Sequence, residues 1–192
     1  MVQVKKKAVR QAILDSAYEL FSDRGYHSTT LQDIAGLAGV GVSSLYSYFP
    51  SKLHLLYAVF EPWYQEEFIE LEKRVLGLKW PRDRLRTVLL GLWRDIPIAN
   101  IGFANSHMEA LASADPGEKK PVPLLKWSEE RLTKLLGRVL PANGAQLDHE
   151  ALATLFIMAY DGFVINRRLN DLRDIERLSD AMCDVMLGPS AY

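Results

Sequence analysis

Apolar residues recur at three- and four-residue intervals along nearly the whole chain, and no stretch alternates apolar with polar positions as a half-buried strand would. The pattern predicts an all-α protein. In AVRQAILDSAYELFSDRGY, the residues Val9, Ile13, Ala17, Leu20 and Phe21 share one face of a first helix, and Gly25 is placed to stop it. Thr30 with Asp33 three positions on predicts a capping box, opening a short second helix over LQDIAGLAG. Gly39-Val40-Gly41 predicts a tight turn. A third short helix then runs from about Val42 to Phe49, where Pro50 disfavours continuation. Ser51 is placed to cap a long fourth helix reaching Gly77, with Pro62 expected to kink or break it. Further helices are predicted at roughly 81–96, 97–113, 122–140, 148–169 and 175–187, and DPGEKKPVP (115–123) is the clearest loop.

Composition adds limits to this picture. The 192 residues are 48% hydrophobic and 24% charged, the balance of a globular soluble chain with a real core. A net charge of -1 argues against a coat of positive charge for wrapping nucleic acid. The charge is uneven, at +2 over residues 1–52 and -3 over the rest, and KKKAVR forms a basic arm. That arm reads either as a solvated tail or as part of a local basic footprint. Cys183 is the only cysteine, so neither a disulfide framework nor a cysteine-based metal site is expected, and no cofactor is. With no run long enough to span a membrane and no signal peptide pattern, the expected compartment is the cytoplasm.

Two short helices joined by a glycine-containing turn form a helix-turn-helix, a scaffold that places its second helix in the DNA major groove. Leu45 and Phe49 are expected to face inward onto Ile34, Leu37 and Ile13. Val42, Ser43, Ser44 and Ser47 then point outward and are short enough for close approach to base edges. Serine hydroxyls pair with several bases, and a valine methyl can meet a thymine methyl. Tyr46 and Tyr48 offer hydroxyls at phosphate reach, Lys52 a cation, and Thr30 a hydroxyl and backbone N–H groups at a helix N-terminus. On spacing alone, a compact three-helix cap with solvent-exposed serines is an equal reading.

The run from Val9 to Leu56 resembles the N-terminal domain of tetracycline-repressor (TetR) family regulators. The family pattern of F–x–x–x–G–[FY], T–x–x–x–I–A–x–x–A–G–V and [LI]–Y–x–[YH]–F–x–[SN]–K–x–x–L stands here as FSDRGY, TLQDIAGLAGV and LYSYFPSKLHLL. By matching position, Val42, Ser43, Ser44 and Ser47 resemble base-reading residues. Thr30, Tyr46, Tyr48 and Lys52 resemble phosphate-clamping ones, and Gln32 reaches either. Gly41, Ser43 and Leu53 depart from the family's common serine, glycine and acid at those positions, which leaves the operator sequence unreadable. The resemblance implies a DNA-binding domain over residues 1–52 and an effector-binding and dimerisation domain over 53–192. It also implies a ligand-responsive regulator, commonly a repressor, that binds a palindrome as a homodimer.

The second part carries no further motif. DHEALATLFIMAYDGFVINRRL is apolar around most of its circumference, and Ile175, Leu178, Met182 and Val185 repeat at a/d-like spacing in the last helix. Burying both stripes between two subunits would give a four-helix interface over about residues 148–187; an intramolecular core is the other reading. Candidate ligand-lining residues are Phe60, Trp63, Trp93, Phe103, His107, Met108, Trp127, Phe156 and Tyr160, each of which also reads as plain core. Asp161 interrupts the most apolar helix with no partner at its i±3 and i±4 neighbours, so it needs one from another helix, another subunit or a cationic ligand. GVGVSS lacks the third glycine, the lysine and the preceding strand of a phosphate loop, and no catalytic motif or ligand cluster appears. A helical protein-interaction module and an enzyme built from dispersed residues are the alternatives; salt-dependent, sequence-selective DNA binding separates the regulator from both.

Overall fold

The structure, a computed structural model, describes residues 2–114, 123–140, 147–171 and 173–188. Almost all of the predicted loop over 115–123 lies outside the described residues. Every regular element among them is helical. In chain order they are α1 (Val2–Ser28), α2 (Leu31–Leu37), α3 (Val42–Tyr46), α4 (Lys52–Gly77) and α5 (Pro81–Leu90). A π-helical stretch (Gly91–Asp95) follows, then α6 (Ile96–Ala99), α7 (Ile101–Ser113), α8 (Pro123–Val139), α9 (His149–Arg168) and α10 (Ile175–Leu187).

Several predicted boundaries shift. Gly25 breaks the register of α1 with φ 82° and ψ 168°, a conformation open to glycine, but helical geometry resumes as far as Ser28. The helix α4 runs unbroken through Pro62. The predicted helix over 81–96 loosens into the π-helical stretch after Leu90, and Asn100, with φ -150°, separates α6 from α7.

Packing divides the described residues into two units, one of residues 2–64 and 100–114 and the other of the remainder. This boundary differs from the sequence-based division at 52/53: the first turns of α4 and the whole of α7 cluster with the three N-terminal helices.

In the first unit, Ile13, Ala17, Phe21, Ile34 and Leu45 are wholly buried, with Phe49 beside them. Leu37, expected inside, is 50% exposed because α2 is only two turns long and its inward face is taken by Ile34 and Ala35. A row of small and polar residues fastens α7 to α1. Asn100 caps α7 by accepting from the Phe103 N–H at 3.0 Å, and its amide donates to the Tyr18 and Ser22 hydroxyls, both at 2.9 Å. Ser106 Oγ donates to the Phe21 carbonyl at 2.6 Å, and Glu109 accepts from the His27 N–H at 2.9 Å. Gly102 lets the backbones touch, since a Cβ there would sit 1.9 Å from the Ser22 carbonyl oxygen.

In the second unit, α5 buries Leu85, Val88 and Leu89, and α9 buries Ala153, Phe156, Tyr160 and Val164. Gly91 opens the π-helical stretch where a Cβ would meet Leu71 Cδ1 at 2.2 Å. α10 lies antiparallel to α5 and the π-helical stretch, held by Arg82–Asp184, Arg86–Asp180 and Arg94–Glu176, each pair closing to 2.7 Å. Its buried residues are Ser179 and Cys183. In the a/d-like stripe, Leu178 is 39% and Val185 81% exposed. Those two positions are therefore not intramolecular core, while Ile175 and Met182 of the same stripe are half-buried.

Candidate nucleic-acid interface and ligand residues

The helix-turn-helix is built by local chemistry. Thr30 Oγ1 accepts from the Asp33 N–H at 3.1 Å and the Asp33 carboxylate accepts from the Thr30 N–H at 2.9 Å, so the predicted capping box is complete. Gly39, at φ 67°, turns the chain between α2 and α3. Leu45 and Phe49 anchor α3 from below, and this register leaves Ser43, Tyr46 and Ser47 exposed with Val42 and Ser44 half-buried. Ser47 Oγ donates to the Ser44 carbonyl at 2.6 Å, leaving its oxygen lone pairs outward. Gln32 is exposed in the first turn of α2.

The phosphate-clamp candidates are placed differently from one another. Tyr46 is 53% exposed. Tyr48 turns its hydroxyl to the Lys6 carbonyl at 3.3 Å, joining the basic arm to the end of α3, and the Arg10 guanidinium lies 5.4 Å over the Phe49 ring. Thr30 spends its hydroxyl proton and its N–H on Asp33, which puts a carboxylate at the very N-terminus where an anion was expected. Those hydrogen bonds, the side-chain one first, hold Asp33 below the ordinary aspartate range, so it stays charged there. The Lys52 ammonium donates to the Tyr26 carbonyl at 2.8 Å and the Thr29 carbonyl at 3.0 Å, and lies 4.2 Å from the Tyr26 ring centroid. It closes the end of α1 from within. Burial lowers its pKa, with Glu109 opposing. No signal in one sequence separates such a lysine from a phosphate contact, because its partners are main-chain carbonyls more than twenty positions away.

The ligand candidates fall into two sets. In the first unit, Phe60, Trp63 and Phe103 form a triangle of rings 5.3–5.4 Å apart, and His107 stacks on Phe60 at 4.0 Å; Met108 is buried nearby on α7. In the second, Trp93 meets Phe156 edge-on at 5.5 Å and donates its indole N–H to the Phe156 carbonyl at 3.1 Å, and Tyr160 is buried one turn further along α9. Trp127 packs its ring against Phe68 at 5.6 Å and carries the Arg131 guanidinium 5.2 Å above it, while Arg131 pairs with Glu72. Asp161 is half-buried, has no hydrogen bond or ion pair among the described residues, and is pushed up by burial to about 6. Among the described residues no three His, Cys, Asp or Glu side chains converge on a metal position, and no helix is long and apolar enough to cross a membrane. The sequence reading passed over Phe163, Arg94, Arg167 and Arg173, which line a cleft beside Trp93. The dense arginines of INRRLNDLRD were the available signal.

Comparison with known proteins agrees with this architecture. Residues 13–59 match the family model described as bacterial regulatory proteins, tetR family. The chain is similar to the HTH-type transcriptional regulator RutR of Escherichia coli, 50% identical over 58 residues, which are 30% of this chain and 26% of that protein. It is also similar to the HTH-type transcriptional repressor KstR of Rhodococcus jostii, 32% identical over 114 residues, 57% of this chain and 52% of that one. The matches thus span about a quarter to a half of these relatives' lengths. The whole fold is similar to that of the transcriptional regulator FadR from Bacillus subtilis, solved in complex with stearoyl-CoA, at 19% identity and a TM-score of 0.71 over 94% of this chain and 100% of that one. With the motif residues and the family model in agreement, residues 13–59 carry the N-terminal domain of the tetR family of bacterial regulatory proteins, and the all-helical fold of the rest is similar to that of solved tetR-family structures.

Proposed function

We propose that the chain is a transcriptional regulator that binds a palindromic operator as a homodimer and is released by a small, largely apolar effector. The observation that carries this reading is the surface of α3. Buried Leu45 and Phe49 fix its register and present Ser43, Ser44, Tyr46 and Ser47 outward, with side chains short enough for base edges and a hydroxyl at the flank for phosphate. DNA contact is assigned to residues 1–52, with Val42, Ser43, Ser44 and Ser47 reading bases, Tyr46 and Tyr48 on phosphates, and Gln32 at the edge. Thr30 and Lys52 serve this surface by shaping it, through the capping box and the closed end of α1.

Dimerisation through α9 and α10 is supported by their outer faces. Leu155, Met158, Ile165 and Leu169 line one side of α9, where Gly162 has open space around its Cβ position, and Leu178 and Val185 are exposed on α10. A palindrome with half-sites one helical turn apart, roughly 34–36 Å, takes one copy of α3 from each subunit of such a dimer. The effector acts by population shift, favouring the conformer whose two recognition helices no longer match that spacing. Its site is drawn either from Phe60, Trp63, Phe103, His107 and Met108 in the first unit or from Trp93, Trp127, Phe156, Tyr160 and Asp161 in the second. FadR's complex with stearoyl-CoA makes acyl-CoA thioesters the first probes.

The test is selection from a random duplex library at two salt concentrations. Enrichment of a palindrome that weakens with salt supports the reading, through counterion release from phosphates. Ser43→Ala and Ser44→Ala should then change the preferred bases, at about 1–3 kcal/mol per contact. Tyr46→Phe should weaken all sequences alike. No enriched sequence at either salt, with the ligand-free protein, sinks the proposal.

A further inference from the structure

We infer that the second unit holds a site for a small planar carboxylate, in the cleft between the π-helical stretch and the turn from α9 to α10. The cleft measures about 130 Å³. Its floor is aromatic: Trp93 and Phe163 meet at 5.3 Å with their planes 45° apart. The indole N–H of Trp93 is already spent on the Phe156 carbonyl, so the ring offers the cleft only apolar surface. The rim carries Arg94, Arg167, Arg173 and Asp171, with Asp95 and Glu176 standing behind Arg94.

These three guanidiniums are not equivalent. Arg94 is matched by Asp95 at 2.8 Å and Glu176 at 2.7 Å, and Arg173 by Asp171 at 2.6 Å. Arg167, on the last turn of α9, has no such partner among the described residues and is exposed. One planar fork of donors is therefore left over at the mouth of an aromatic floor. Such a fork takes a carboxylate through two parallel hydrogen bonds, and its single positive charge balances a monoanion. The volume sets the rest of the ligand: a closed apolar cavity of about 150 Å³ holds one benzene ring, and this open cleft has room for a similar ring with its carboxylate at the rim. Trp93 and Arg94 both stand on the π-helical stretch, an irregularity frequent at functional sites because the inserted residue re-aims the side chains beyond it.

The probe is benzoate, titrated by calorimetry into the full chain without DNA, so the outcome is separate from that of the regulator reading. Saturable one-to-one binding is expected. Arg167→Gln should weaken it about tenfold or more, the loss of one charge-assisted contact, with the unfolding temperature unchanged because that side chain is exposed and unpaired. Benzyl alcohol, the same ring without the charge, should bind the native chain as weakly as benzoate binds the variant. Ile98→Trp, at a lining residue that is 44% exposed, should fill the cleft and abolish binding in a folded protein. Absence of saturable benzoate binding overturns the proposal. So does equal binding by Arg167→Gln, or inorganic phosphate binding as tightly as benzoate with Ile98→Trp without effect, which would mark a bare cationic surface.

Discussion

His107 packs one face of its ring on Phe60 at 4.0 Å, with the planes 14° apart, and takes the edge of Tyr57 at 5.5 Å. Part of the residue reaches the surface, yet Nδ1 is buried and has no hydrogen-bond partner among the described residues. Desolvation pushes its pKa down to about 3, so the folded protein holds it neutral. In the unfolded chain it titrates near its ordinary 6.5. Between these values the unfolded state binds the extra proton, so stability is complete above about 6.5 and falls as pH drops toward 3. Urea unfolding at pH 7.5, 6 and 4.5 should show this loss at about 3 kcal/mol by pH 4.5, and His107→Phe should remove it while keeping the stack. Equal pH slopes in the two proteins would mean that Nδ1 is hydrated in the folded state. Asp161 works with the opposite sign: its pKa is raised from 3.8 to about 6, so its burial costs stability progressively as pH climbs from about 3.8 to about 6, and the cost is constant above that.

At the scale of elements, α7 shows how small residues decide which helices meet. Asn100, Gly102, Ser106 and Glu109 fall along one side of α7, and each touches α1 or the turn after it. Gly102 is the closest point, and a methyl there would collide with main chain rather than with a yielding side chain. Gly102→Ala should cost about 1–3 kcal/mol or more, read as a shift in the denaturation midpoint. Gly36→Ala, where nothing lies within 4 Å, is the control and should be neutral or slightly stabilising. The partnership of α7 with α1 was not visible in the sequence, since an Asn–x–Gly–x₃–Ser spacing on an otherwise apolar helix has no obvious partner until α1 is placed beside it. α10 gives the reverse case. Its a/d-like repeat was legible, but its contact with α5 and the π-helical stretch is a ladder of arginine–carboxylate pairs over buried Ser179 and Cys183, which leaves Leu178 and Val185 of the repeat facing outward.

At the scale of the molecule, the outward apolar faces of α9 and α10 carry the dimer proposal. Met158 is 66% and Ile165 48% exposed, so charging them should leave each chain folded. The double change Met158→Glu with Ile165→Glu should yield a monomer by sedimentation with unaltered helical circular dichroism. Operator affinity should fall by several orders of magnitude as one half-site's contacts are lost, and a single half-site should still bind weakly. A variant that remains dimeric would place the two-fold axis elsewhere.

The all-helical character, the Thr30–Asp33 cap and the helix-turn-helix were determined by the sequence alone, because i, i+3 and i, i+4 spacing, that capping box and the glycine at position 39 act over a few residues, whereas several helix ends shifted. The outward serines of α3 followed from the same register. Tertiary structure decided the rest. It turned Lys52 onto the carbonyls of Tyr26 and Thr29, exposed Leu37, split the aromatic ligand candidates between two units and gathered three arginines over Trp93. Periodicity reports that a face is covered; what covers it depends on contacts between residues far apart in the chain, and those exist only once the helices have packed.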